Sequence, residues 1–440
     1  LGQQPERAVP FYTQAAEQLF DRHDLQGVMR CTDAALSCDM SGEFPARLRA
    51  LQSMVAYWGE RGELALELGV PALAGLKAGS SLWCKLLGSL IVGGHFRNQE
   101  QVARMIELLL STSPEPKAIA AYVEALGQIG GARIYSGARQ QVEGLLERIM
   151  EVGADAMLHD ALVRGWMRFL KGFFLHFFEA RPWQAFMTAD VGLRDFRDMG
   201  VERDENVTRV VSGMALASLG DLSGAVERLR EAKVAALRAE HRISVHFAHH
   251  YLFQALASSP EPAHRQEAHD LALEWLVDPA CYSFQRAVAS AALAQVMLAS
   301  GALSEAEVYA RTACELLAPF KCYSVFGNRA LSAVLLAQGR AAEAREVAEL
   351  GVRELEQMGS QGVFAVVVRL ALAEACFAQG DASAGEAALR ETLQCVRARA
   401  NDIPDAAARE RFLRQVPENA RTLELARQLW GELQEPGDSV

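Results

Sequence analysis

The chain has 440 residues, 50% of them hydrophobic and 8% aromatic, with 44 Lys+Arg against 55 Asp+Glu and a formal net charge of −11. That much apolar surface offsets chain entropy and excludes a disordered tail, while the acidic balance opposes nonspecific nucleic-acid binding, which needs clustered Lys and Arg. The length allows about three globular domains of roughly 150 residues, or one extended array.

The 8 cysteines contain no C-x-x-C pair and sit mostly in Ala/Leu-rich text. They read as small buried hydrophobes of a reducing compartment, so the expected location is cytoplasmic. No apolar run approaches the ~20 residues of a membrane span. The chain opens on Leu1-Gly2, and is expected to be a fragment of something longer or a processed product.

Strand signals are almost absent and Ala, Leu, Glu, Arg and Gln dominate, so the class is all-α. Prolines fall mainly where helices should end; Pro71 is the exception and predicts a kink or an early helix start. One phrase recurs: a small or apolar run, Gly, a short turn, then a small residue opening a new helix. It stands around Gly220, Gly301, Gly339 and Gly380, the last three 38 and 41 residues apart. A turn at Ser259-Pro260 divides the longer gap between Gly220 and Gly301. Extrapolated backward, the period lands on Ala180-Arg181-Pro182, Gly137, Arg97-Asn98, Gly62 and His23-Asp24. Ten turns from 23 to 380 predict about ten helical hairpins with a period near 40 residues.

Glycine can take the left-handed conformation that ends the first helix of each hairpin. Small residues five positions later (Ala225, Ala306, Ala344, Gly385) and seven positions earlier (Gly213, Ala294, Ser332, Ala373) let the paired helices approach. Together these offsets resemble the tetratricopeptide repeat. The ordinary repeat is about 34 residues, so these hairpins resemble the longer variety found in large bacterial signal-transduction NTPases such as the maltose regulon activator and its relatives. The resemblance implies a right-handed superhelical solenoid.

The aromatic cluster from Trp166 to Phe186 holds eight aromatic residues in 21. Most of the stripe reads as core, and its excess width suggests a pocket at Trp166, Phe174 and Phe177. Six of the ten histidines lie between His241 and His269. His246 and His250 share one helical face, a spacing that can hold zinc, but no further ligand follows; packing is the better reading and no metal is assigned. Closely spaced imidazoles also allow a pH-sensitive contact.

By the tetratricopeptide pattern, the inner helices face a concave groove through positions ten and six residues before each turn. The polar ones are His250, Gln254, Gln295, Arg329 and Glu374, which implies recognition of a protein or peptide partner or a small-molecule effector there. No catalytic constellation is visible: there is no G-x-x-x-x-G-K-[ST], no G-x-G-x-x-G and no G-x-S-x-G. No catalytic residue, cofactor, nucleic acid or membrane is assigned. Arg397, Arg399, Arg409, Arg411 and Arg414 alternate with acids and read as a solvated surface.

Residues 403–430 (IPDAAARERFLRQVPENARTLELARQLW) predict two short helices capping the array, which places repeats over 1–400 and a cap with its tail over 401–440. The phrase FLRQVPENARTLELA is similar to the closing segment of myxobacterial-type multidomain serine/threonine kinases. That implies a non-catalytic regulatory tail controlling an upstream kinase and P-loop NTPase, the alternative being a freestanding adaptor.

Overall fold

The computed structural model describes residues 7–38, 41–94, 99–278, 281–359 and 361–431. Among these no strand occurs, and the helices form ten consecutive hairpins. The first five pair α1 (Val9–Asp21) with α2 (Leu25–Leu36), α3 (Phe44–Trp58) with α4 (Gly62–Ala74), α5 (Ser81–Gly94) with α6 (Gln99–Ser111), α7 (Ile119–Tyr135) with α8 (Arg139–Gly153), and α9 (Ala161–Phe177) with α10 (Pro182–Asp198). The second five pair α11 (Glu202–Ser218) with α12 (Leu222–Arg238), α13 (Arg242–Ala257) with α14 (Pro262–Val277), α15 (Ser283–Ser300) with α16 (Leu303–Leu317), α17 (Lys321–Ala337) with α18 (Ala341–Gln357), and α19 (Ala365–Ala378) with α20 (Ala382–Asn401). Two shorter helices, α21 (Ala406–Arg414) and α22 (Pro417–Trp430), complete the array.

The turns fall where the repeated phrase places them. Gly137, Gly220, Gly301, Gly339 and Gly380 all carry the positive φ that ends an inner helix. The turn expected at Gly62 is displaced, because Gly62 opens α4 and the left-handed position is Glu60, at φ 59°. His23 and Ala180 hold the same conformation in their turns, at φ 61° and 52°. Arg97-Asn98, the third expected turn, and Pro279 lie outside the described residues. Several prolines open helices rather than end them: Pro182, Pro262 and Pro417 each occupy the first position of theirs, where no intrahelical acceptor awaits an N–H. Pro71 stands inside α4.

Small residues set the spacing within hairpins. A Cβ on Gly213 would come within 2.8 Å of Leu229 Cγ, and one on Gly385 within 2.5 Å of the Phe377 ring. Ala225, Ala306 and Ala344, at the equivalent offset in the second helix, have no exposed surface. Each odd-numbered helix stacks on its hairpin partner and on the next odd-numbered helix, from α1 to α19, forming an inner layer with the even-numbered helices outside.

The inner layer is buried on more sides than an open superhelix requires. Helix α13 buries twelve of its 16 residues, whereas its partner α14 buries four of 16. The reason is that successive turns of the superhelix touch. The phenol oxygens of Tyr135, Tyr251 and Tyr323, from the fourth, seventh and ninth hairpins, form a chain with two 3.1 Å contacts. The Val363 amide donates to Phe177 O at 3.0 Å, joining the fifth hairpin to the tenth through backbone. One apolar core consequently runs from Ala16 in α1 to Phe326 in α17.

Candidate functional site: a cavity between the middle hairpins and the C-terminal helices

Where the turns of the superhelix meet, polar groups seal most of the seam. Arg203, 5% exposed, donates to Glu124 Oε1 at 2.7 Å and to Asp204 Oδ1 at 2.6 Å, and its guanidinium lies 4.7 Å from the Trp58 ring centre. Trp166 Nε1 donates to the other oxygen of Asp204 at 3.2 Å. Nearby, Glu60 reaches from the second hairpin to His246 Nδ1, 2.5 Å away, and accepts from Gln285 Nε2 at 3.2 Å. Burial raises the Glu124 carboxyl, while its ion pair with Arg203 opposes that shift; the two acids in turn raise the arginine.

Farther along the seam the surfaces part around a cavity of about 960 Å³. One wall is built from the turns and helix ends of the fifth to seventh hairpins, including Phe177, Ser218 and Tyr251. The opposite wall is the start of α19, the last turn of α20, and the α21–α22 corner. The floor is aromatic, with buried Phe177, Tyr251, Tyr323 and Phe412, and the rim carries exposed Pro260, Glu261 and Arg414.

The C-terminal helices position this second wall by bridging the superhelix. A Cβ on Gly220, at φ 80°, would meet Arg411 O at 2.6 Å, so only the bare glycine turn lets the end of α21 approach α11 and α12. Leu219, Val366, Ile403, Phe412 and Leu413 pack into one apolar plug beneath the corner. The Asp402 carbonyl accepts from Gln184 Nε2 at 3.3 Å, and its carboxylate stands 3.5 Å from Arg181 Nε.

The proposed groove line is divided by this closure. Gln254 borders the cavity, but His250 does not face an open groove: it is 4% exposed, with its ring stacked 4.3 Å from that of Tyr251. Gln295 is half-buried on α15. Arg329 and Glu374 are held by the last helix, through Arg329 Nη2–Glu418 Oε1 at 2.5 Å and Arg421 Nε–Glu374 Oε1 at 2.9 Å. The aromatic pocket is likewise redistributed. Trp166 and Phe174 are core, Phe174 lying between the cations of Arg139 and Lys171, and Phe177 alone of the three lines the cavity.

The basic residues near the C-terminus are not one solvated surface. Arg414 pairs with Glu410 at 2.8 Å and Arg409 donates to Ile403 O at 3.0 Å, but Arg399 and Arg411 turn toward the cavity. Arg399 donates to Gly362 O at 2.6 Å and to Val363 O at 3.4 Å, and burial pulls its guanidinium down to about 10. Their interleaving with Asp402, Asp405 and Glu410 concealed this; the signal was the segment's position beside the cap rather than its composition.

The histidines of α13 pack. Burial holds His249 and His250 near 3, and Trp275 Nε1 donates to His249 Nδ1 at 2.9 Å. Desolvation rather than mutual repulsion keeps them neutral. His246 and His250 do not share a metal-ligating group; His246 instead gathers with Asp278 and Cys281, their donor atoms all within 4.8 Å. This trio could hold a cation only if Cys281 lost a proton, which burial and neighbouring acids retain up to about 12.

No protein-family model matches the chain, and no curated protein does. Solved structures do. A Rap protein in complex with competence and sporulation factor is similar over 87% of this chain and 99% of its own, at 10% identity and a TM-score of 0.54. NprR in complex with its cognate peptide NprX is similar over 79% of this chain and 97% of its own, at 12% identity and a TM-score of 0.54. The apo form of the quorum sensor NprR from B. thuringiensis matches with the same coverage, at 13% identity and a TM-score of 0.50. Among the described residues no helix is long and apolar enough to cross a membrane. The fold is a tetratricopeptide-like helical repeat solenoid.

Proposed function

We propose that the chain is a non-catalytic regulatory region whose central cavity takes a short peptide or peptide-like effector. The observation that carries this reading is the cavity itself. At about 960 Å³ it stands at the upper end of the ~300–1,000 Å³ typical of ligand sites. It joins an aromatic floor to a few convergent polar groups, the usual composition of a small-ligand site. NprR, of the same fold, carries its cognate peptide, which supports a peptide over other occupants.

The mechanism follows from what forms the walls. One wall belongs to the middle hairpins and the other to the C-terminal helices, so a ligand touching both stabilises their closed approach. It shifts the population toward the closed superhelix only by its differential affinity for that state. From the resemblance of the closing segment, we propose a serine/threonine kinase and a P-loop NTPase upstream as the modules that read this shift. A reading frame lacking both upstream of Leu1 removes that part of the proposal.

The test of binding is equilibrium dialysis of the chain against a synthetic pool of apolar hexapeptides, with retained members identified by mass spectrometry. Ser218→Phe narrows the cavity at its wall. The wild-type chain should retain a subset of the pool that Ser218→Phe releases. Equal retention by both would show binding elsewhere, and no retention by the wild type would remove the peptide reading.

A further inference from the structure

Three of the four arginines that border the cavity have a common feature. Arg265 at the start of α14, Arg399 at the end of α20 and Arg411 at the end of α21 all line it. None has a carboxylate within ion-pair distance among the described residues. Arg265 donates to the carbonyls of Ser259 and Pro260 at 2.9 and 2.8 Å, and Arg399 to those of Gly362 and Val363. Nε of Arg411 is buried without an acceptor among the described residues.

The acids of the same cavity make no ion pair with them among the described residues. Asp221 Oδ1 accepts from Gly224 N at 3.1 Å and caps α12. Glu418 is engaged by Arg329, and exposed Glu261 lies 3.6 Å from His264 Nε2. Arg414 on the rim is paired with Glu410. A chain with a net charge of −11 thus gathers in one concavity three arginines that have no ion pair among the described residues.

Burial sharpens the imbalance at Arg399. Its carbonyl partners fix the guanidinium in place but bring no formal charge. The adjacent His176, 4% exposed, is held neutral near 3 by burial and by Arg399, and its Nδ1 has no partner among the described residues. A cation withdrawn from water without a counter-charge is costly, and a ligand oxyanion that reaches it forms the strong, charge-assisted kind of hydrogen bond.

We infer that the occupant of the cavity is an acidic peptide: an apolar chain seated on the aromatic floor, with one carboxylate anchored by Arg399 and drawn in by Arg265 and Arg411. This rests on the reading of the cavity as a peptide site. A terminal carboxylate and an Asp or Glu side chain both supply the chemistry, and the test separates them.

The hexapeptide pool is prepared in three forms: free C-terminal acids, C-terminal amides, and amides containing one Asp or Glu. The protein is the wild type, Arg399→Met or Arg399→Lys, each first shown to be folded by circular dichroism. Retention of free acids at least about tenfold above plain amides identifies a terminal carboxylate as the anchor. Retention of the Asp/Glu amides at that level identifies a side-chain carboxylate. In either case Arg399→Met should abolish the preference and Arg399→Lys should keep part of it. Should Arg399→Met fail to fold, loss of preference at Arg411→Gln serves in its place. Retention blind to charge would overturn the anchor while leaving the peptide site standing; a wild type that retains nothing would overturn both.

Discussion

The superhelix meets itself in two places, and the two contacts are built differently. Between the early and middle hairpins, Arg203 finds Glu124 and Asp204, Glu60 finds His246 and Gln285, and Gln26 Nε2 finds Glu240 at 3.0 Å. Between the middle hairpins and the C-terminal helices, the surfaces part and Arg265, Arg399 and Arg411 face a cavity with no carboxylate partner among the described residues. Groups satisfied within the fold belong to stability. Groups that the fold gathers but leaves uncompensated are the ones a ligand can complete.

The largest effect should come from breaking the matched seam. Arg203→Met leaves Glu124 and Asp204 buried without their counter-charge, and should lower the unfolding free energy by about 3–5 kcal/mol in urea titrations. A cost below about 1 kcal/mol would show that the seam does not hold the superhelix together.

Next in size is Gly220→Ala. It places a Cβ 2.6 Å from Arg411 O at a φ of 80°, so both sterics and backbone conformation oppose it. The expected loss is about 1–3 kcal/mol, with faster amide hydrogen exchange across α21. Unchanged exchange in α21 would mean that the C-terminal helices do not rest on this turn.

Acid should act through the packed histidines. His176, His249 and His250 lie near 3 and His241 near 4 when folded, all below the ordinary histidine value of about 6.5. Above about pH 6.5 both states are neutral. As the pH falls from 6.5 toward 3–4, the unfolded chain takes up protons that the folded chain refuses, so stability declines by up to about 1.4 kcal/mol per pH unit for each histidine. Melting temperature should therefore drop between pH 7 and pH 5, and His250→Phe should flatten the drop. A flat wild-type profile would contradict the buried placement.

A smaller effect is expected from Arg329→Ala with Glu374→Ala. Each removes an ion pair to the last helix, half-buried at Arg329 and more exposed at Glu374, worth up to about 1 kcal/mol. The readout is hydrogen exchange in α22, which should rise while exchange in the inner helices stays constant.

The hairpins were legible because their signals are local. Gly339 ends a helix and Ala344 lets the next one approach within a dozen residues of chain, so the period can be counted. Glu60, His23 and Ala180 broke the phrase by holding the left-handed conformation without glycine, and there the reading slipped or rested on extrapolation. The closure of the superhelix was not legible. It depends on pairs such as Phe177 with Val363 and Tyr135 with Tyr251, far apart in sequence and individually unremarkable. For that reason His250 read as a groove residue when it is core, and Arg399 read as surface when it borders the cavity. The aromatic stripe conveyed that a wide face is covered, but not that Phe177 alone of Trp166, Phe174 and Phe177 reaches the cavity.

The most direct test of the contrast is the unfolding free energy of Arg399→Met, measured beside Arg203→Met without ligand. The carbonyls of Gly362 and Val363 can turn to water in the cavity, so Arg399→Met should change stability by less than about 1 kcal/mol. A loss of about 3–5 kcal/mol, matching Arg203→Met, would make Arg399 a structural residue and contradict the assignment of the cavity's charge to a ligand.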